Sequence, residues 1–311
     1  MAADQSSLTA RERAYGLLAD LIRSGLHPDR EATVRGVEAL ADALPEPLDG
    51  PELAARHHGL FGLDVPPFES FFLAPDRLLG GPVSDMVARA YALGGFQPTL
   101  DDVAPDHLGV ELAYLGWLSG ARADAVRDGE AAHDRRIADL ERAFLDDHLL
   151  RWLPVLVASV PDPDEFFGVC LDLALALARE HRGSLGVAPS PWSLPPLPEL
   201  EDATTGLRQL AEALCTPCLA GGLLTRSAIA GLGRDRKLPR GFGDRTQTLA
   251  NLFRSAARFD ALDDVLGALD AHLGGWAHAL AEHPHDAPWR ARIAAHRQRL
   301  AGVRERAASV R

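Results

Sequence analysis

The sequence predicts an all-α protein, and three observations carry that prediction. Apolar residues, led by Leu and Ala, recur at helical spacing through most of the 311 residues. Strand signals are nearly absent, and isoleucine occurs only at positions 22, 137, 229 and 293. The stretch PDHLGVELAYLGWLSG (105–120) puts Leu108, Leu112, Leu115 and Leu118 on one helix face, with Val110, Ala113, Tyr114 and Trp117 on the others. A helix apolar nearly all round belongs at the centre of a bundle. Its polar exceptions gather at the start: Asp106, His107 and Glu111, with His107 and Glu111 four apart on one face.

Thr9 and Glu12 have capping-box spacing and open a first helix, which His27-Pro28-Asp29 breaks. Further helices are predicted over Glu31–Leu44 and Glu52–Phe61, separated by PEPLDGP (45–51). Residues 63–82 (LDVPPFESFFLAPDRLLGGP) read as a loop. Phe68, Phe71 and Phe72 do not suit open solvent, so this loop packs on the bundle or lines a groove. A helix over Val83–Leu93 stops at Gly94-Gly95. In the central helix, Pro105 suits the first turn and Asp106 the positive end of the dipole. Arg122–Glu130 reads as polar and turn-like. Glu130–Val160 is one long helical segment that Pro154 kinks or ends, and Glu165–Arg182 is another.

Residues 183–198 (GSLGVAPSPWSLPPLP) hold five prolines and mark a linker or a strap. They divide the chain into 1–182 and a helical extension, 199–311. The extension predicts helices over Glu199–Leu214, Ser227–Leu232, Thr246–Arg258, Leu262–Ala281 and Pro288–Ala308.

Net charge is −12, which disfavours nonspecific nucleic-acid binding and suits a basic peptide partner. No apolar run approaches the roughly 20 residues of a membrane span. The polar N-terminus carries no secretory signal, which points to the cytoplasm. Lys237 is the only lysine and follows Arg236 rather than Gly, so a Walker A phosphate loop is excluded.

Several constellations allow chemistry. Asp106, His107 and Glu111 suit acid–base work, or a polar anchor that caps a helix. Glu130/His133 and Glu282/His285 repeat the Glu-x-x-His spacing of di-iron bundles, the second interrupted by Pro284. Cys215-Thr-Pro-Cys218 has thiol-redox spacing but lacks the βαβ context of redox folds. A metal- or thiol-dependent bundle enzyme using Glu130, His133, Cys215 and Cys218 is thus the alternative to a binding protein. Residues 226–258 hold eight cations against two acids. Arg226, Arg236, Lys237, Arg240 and Arg245 in that stretch are candidates for an anion or nucleotide, or for docking onto the acidic first part.

PPFESFFL, GGPVSDMVARAYALGGF, PDHLGVELAYLGWL and ERAFLDDHLLRWLPVL occur in that order between Pro66 and Leu156. In this order they resemble the TorD/DmsD/NarJ family of redox-enzyme maturation chaperones, over about Tyr15–Arg182. The resemblance implies an all-α, non-enzymatic protein without a cofactor. It implies binding of the twin-arginine signal, or another N-terminal segment, of an apo molybdopterin oxidoreductase until that client's cofactor is inserted. Helix exchange between protomers in the family makes a homodimer an expectation to test. The family's Asp-His motif maps onto Asp106 and His107, and its Pro-Pro-aromatic segment onto Pro67, Glu69 and Phe72. Phe68 stands where the DmsD-like pattern has Trp. Phe144, His148, Leu149 and Trp152 match a further family run. On this reading Asp106 and Glu69 meet the client's arginines, His107 and Glu111 lie beside them, and Phe68, Phe71 and Phe72 take the client's apolar stretch.

Overall fold

The computed structural model describes residues 2–76, 78–98, 104–199, 206–239, 241–280 and 282–309. Every regular element among them is helical, and the one β-type feature is an isolated antiparallel bridge between Phe68 and His107. Contacts divide the chain into two compact units: Met1–Phe71 with Leu78–Ser190, and Phe72–Arg77 with Pro191–Arg311. The division at Ser190 lies inside the Pro-rich segment.

The first unit is built on two long helices, α1 (Ala2–Ser24) and, further along, Leu108–Asp128. Between them lie α2 (Glu31–Arg35), α3 (Glu38–Ala43), α4 (Gly50–His57), α5 (Glu69–Leu73) and α6 (Gly81–Leu93), which makes Leu108–Asp128 α7. Glycines let α1 and α7 approach closely. A Cβ at Gly109 would lie 2.9 Å from the Ala19 carbonyl oxygen, and one at Gly116 would lie 3.3 Å from that of Glu12. The predicted second helix divides into α2 and α3 at Gly36, a weak helix former. The predicted third helix ends at His57 and unwinds into a wide π turn over His58–Asp64.

α7 runs on through Arg122–Asp128 and stops at Gly129, whose φ of 76° places it in the left-handed region. The turn expected over Arg122–Glu130 is therefore only its last residues. Burial decides this: Ala123 and Ala125 are core residues, and Arg122 is held by two carboxylates. α8 (Ala131–Phe144), a π turn (Leu145–Leu149), α9 (Leu150–Ala158) and α10 (Phe166–Ser184) complete the unit. The break in this segment is the π turn, not Pro154, which sits inside α9.

The second unit holds α11 (Gly206–Leu214), α12 (Pro217–Ala220), α13 (Arg226–Asp235), α14 (Arg245–Arg258), α15 (Leu262–Ala279) and α16 (Ala287–Ser309). Asp244 and Gln247 form a full capping box at the start of α14. Leu210, Leu249, Phe253, Leu269, Trp289 and Ile293 form part of its core. Residues 200–205 of the helix predicted from Glu199 lie outside the described residues.

Candidate partner-binding site

The bridge at Phe68 and His107 pins the aromatic loop to the start of α7. The Glu69 N–H donates to the Asp106 carbonyl and the Leu108 N–H to the Pro67 carbonyl, both at 2.9 Å. The Phe68 ring meets the His107 ring edge-on, 5.0 Å between centroids. His107 is the N-cap of α7: its Nδ1 accepts from the Gly109 N–H at 3.0 Å, which leaves the proton on Nε2. Burial, with the nearby Arg23 charge second, lowers its pKa to about 4, so the ring is neutral near pH 7. The Tyr91 hydroxyl donates to the Pro105 carbonyl at 2.7 Å and fixes the turn entering the helix.

Behind this bridge lies a buried polar hub. Asp106, Glu69 and Glu111 are essentially inaccessible, at 0%, 1% and 0% exposure. Asp106 accepts from the Ser70 N–H at 3.0 Å, so it holds the first turn of α5. The His148 Nδ1–H donates to Glu69 at 3.1 Å, and the Trp152 Nε1–H donates to Glu111 at 3.2 Å. Glu69 and Glu111 lie close enough to shift each other's titration. Burial raises both carboxyl groups, Glu111 the more strongly because Glu69 and Asp106 add negative charge beside it.

Asp106, His107, Glu111, Pro67, Phe68, Glu69, His148 and Trp152 thus come together as one assembly from three stretches of chain. The carboxylates, however, lie beneath the surface rather than on it: the Ser70 N–H, His148 and Trp152 bond to them, while Asp106 Oδ1 and Glu111 Oε1 are buried without a hydrogen-bond partner. Phe71 and Phe72 are likewise buried, whereas Phe68 is half-exposed. Phe72 groups with the second unit.

Two features had no flag in the sequence. An apolar groove of about 370 Å³ is lined by Leu17 and Leu18 of α1, Val37, Leu40 of α3, and Leu173 and Leu177 of α10. Its sequence signal is the partial exposure of leucines on two amphipathic helices, which spacing alone does not separate from core. A second buried network joins α1, α7, α8 and α10. Glu141 takes bonds from Ser119 (3.2 Å) and Arg122 (2.7 Å) and faces His181 (3.3 Å), which contacts the Tyr15 hydroxyl at 3.0 Å. Burial pushes Glu141 up, but His181 and Arg122 outweigh it and hold the carboxyl below its usual range.

The alternative chemistry finds other geometry. Glu130 and His133 pair with each other at 3.0 Å on the exposed start of α8. Cys215 and Cys218 are buried and not joined in a disulfide, and burial lifts the Cys218 thiol to about 11, away from thiolate reactivity. In the basic stretch, Arg226 and Lys237 are exposed, while Arg236 and Arg245 each give a donor to a carbonyl, of Leu232 and Leu224. Arg240 lies outside the described residues. No helix is long and apolar enough to cross a membrane among the described residues.

A profile of the family described as nitrate reductase delta subunit matches residues 27–158. The chain is 39% identical over 113 residues to a selenate reductase assembly chaperone protein of Thauera selenatis; the match covers 36% of this chain and 57% of that relative. It is 30% identical over 169 residues to a chlorate reductase assembly chaperone protein of Ideonella dechloratans, covering 52% of this chain and 84% of the relative. A chaperone protein TorD of a Psychrobacter species is 27% identical over 190 residues, covering 58% and 83%. No solved structure matches. The chain belongs to the nitrate reductase delta-subunit family, the TorD/DmsD/NarJ group of redox-enzyme assembly chaperones.

Proposed function

We propose that this chain is a cytoplasmic assembly chaperone for a molybdopterin oxidoreductase subunit, and that its first unit binds that client's N-terminal, twin-arginine signal segment. The observation that carries the reading is the clamp at Phe68 and His107. It presents a half-exposed aromatic ring on a loop that a buried polar hub holds rigidly, which suits recognition rather than turnover. Charge supports it: residues 1–190 hold 31 Asp/Glu against 16 Arg, a field complementary to a basic peptide.

The buried hub acts by positioning. Asp106 and Glu111 fix the loop and the start of α7, and Phe68 meets the client. Because Phe71 and Phe72 are buried, the client's apolar stretch takes the groove along α1 and α10. α1 serves both places, since Ala19 and Arg23 pack on Gly109 while Leu17 and Leu18 line the groove. On this proposal residues 1–182 are the chaperone domain, 183–198 a strap and 199–311 an extension. A homodimer is a separate expectation, tested by light scattering.

Calorimetry with the signal peptide of a molybdoenzyme encoded beside this chain tests the reading. Saturable binding that weakens in Phe68→Ala supports it. Absence of binding to any such peptide dismisses it.

A further inference from the structure

α16 carries two rows of arginine that differ in their partners. Arg290, Arg297 and Arg304, seven apart, each face a carboxylate: Glu282 at 3.7 Å, Asp270 at 2.8 Å and Asp263 at 2.7 Å. Arg292 and Arg299, also seven apart, face the Pro-rich strap of the same unit, and neither has a carboxylate within ion-pair distance among the described residues. Arg292 donates from one terminal nitrogen to the Pro195 carbonyl, and Arg299 to the Pro198 carbonyl at 2.6 Å. Their other terminal nitrogens, both buried, have no hydrogen-bond partner. His296 lies between them on the helix, fully buried, and neither ring nitrogen is hydrogen-bonded; the Leu219 carbonyl is near but outside bonding geometry.

Two guanidinium groups withdrawn from water without an anion are costly. Arg292 is only 9% exposed, and burial lowers the pKa of both. Among the described residues, the neighbouring groups do not supply the missing charge. Burial keeps the Cys218 thiol beside Arg292 protonated, and Asp76, near that thiol, is not within ion-pair distance of either arginine. Pro195, Pro196 and Pro198 have no N–H, and it is the Pro195 and Pro198 carbonyls that meet the arginines. The strap is anchored further by Trp192, which meets Trp289 of α16 edge-on, 6.1 Å between centroids.

We propose that Arg292, His296 and Arg299 form a site for a dianionic phosphate group beneath this strap. The free guanidinium donors suit a tetrahedral oxyanion, and a dianion neutralises both charges at once. The His296 ring adds a donor from whichever nitrogen carries the proton. The site differs from the basic stretch at 226–258, whose Arg226 and Lys237 are exposed.

The test is thermal unfolding of the full chain titrated with inorganic phosphate, with sodium chloride at matched ionic strength and acetate as separate arms. The site predicts a saturable rise in Tm with phosphate that chloride and acetate do not give. Arg292→Gln and Arg299→Gln should each raise the half-saturating phosphate concentration by about tenfold. Arg297→Gln, which removes an arginine paired with Asp270, should leave it unchanged. If Arg292→Gln does not fold, Arg299→Gln carries the same comparison. No rise beyond that of chloride, an equal rise with acetate, or an equal phosphate response in Arg299→Gln overturns the proposal.

Discussion

The Phe68 and His107 rings meet edge-on at 5.0 Å across the one β-bridge among the described residues. This contact couples a surface residue to a helix cap. His107 cannot move without releasing the Gly109 N–H at the start of α7, and Phe68 cannot move without exposing that cap. The half-exposed ring and the buried hub behind it therefore separate by mutation.

Phe68→Ala is expected to weaken client-peptide binding by tenfold or more while costing about 1 kcal/mol of stability, the worth of one exposed aromatic contact. Asp106→Ala leaves the Ser70 N–H without its acceptor in a buried site. It should cost about 1–3 kcal/mol and weaken binding only through the loop. Denaturant unfolding beside calorimetry checks both. Equal stability losses in the two variants would remove the distinction between surface and hub.

The α1–α7 contact should respond unequally to added methyl groups. At Gly109 a Cβ meets the Ala19 backbone carbonyl at 2.9 Å, which cannot swing away. At Gly120 it meets the Glu12 carboxyl group at 2.8 Å, the end of a flexible side chain. Gly109→Ala is expected to destabilise by about 1–3 kcal/mol. Gly120→Ala should be near neutral, since it also removes a helix-interior glycine. Urea midpoints of the two variants give the comparison.

Two sets of buried groups give stability opposite dependences on pH. His107 is held at about 4 in the folded chain against about 6.5 unfolded. The unfolded state binds more protons between these values, so stability drops as pH falls from about 6.5 toward 4. His107→Asn keeps a capping acceptor and should flatten that slope. Glu69 and Glu111 act oppositely. Their raised pKa values favour the protonated folded state below about 4.5, and that contribution is lost as pH rises through their folded values. Glu111→Gln should lessen the loss of Tm as pH rises above about 4.5. Scanning calorimetry from pH 5 to 9 measures both slopes.

The network at Glu141 is a stability element rather than a reactive one. Arg122→Ala leaves the Glu141 carboxylate buried with only Ser119 and His181, and should cost about 3–5 kcal/mol. Arg122→Ala with Glu141→Leu should recover much of that loss, because the uncompensated charge is gone. No recovery in the double variant would show that packing, not charge, is what Arg122 supplies.

Cys218 should resist iodoacetamide in the native chain and react at the ordinary thiol rate in urea, since burial lifts its pKa to about 11. Mass spectrometry of labelled peptides distinguishes the two. Fast native labelling would revive a thiol-dependent activity.

The helical class, the central position of α7 and the family were legible in the sequence. They rest on local periodicity and on short motifs whose order along the chain is itself the evidence. Leu108, Leu112, Leu115 and Leu118 report a buried helix at any tertiary arrangement, and Asp106-His107 reports its start. Boundaries were less legible. Arg122–Asp128 looks like a turn by polarity, yet Asp134 and Glu141 hold Arg122 from a neighbouring helix and keep the turn helical.

Tertiary structure alone decided what the polar residues do. Residues 69, 106, 111, 148 and 152 come from separate stretches, and only folding sets Glu69 beside Glu111 or gives Trp152 its acceptor. Their depth follows from the same cause, since a carboxylate reads alike in sequence whether its partner is water or a buried indole. The two arginine rows of α16 make the point once more. Their seven-residue spacing is plain in the sequence, but which row meets carboxylates and which meets proline carbonyls is fixed by the elements packed against each face.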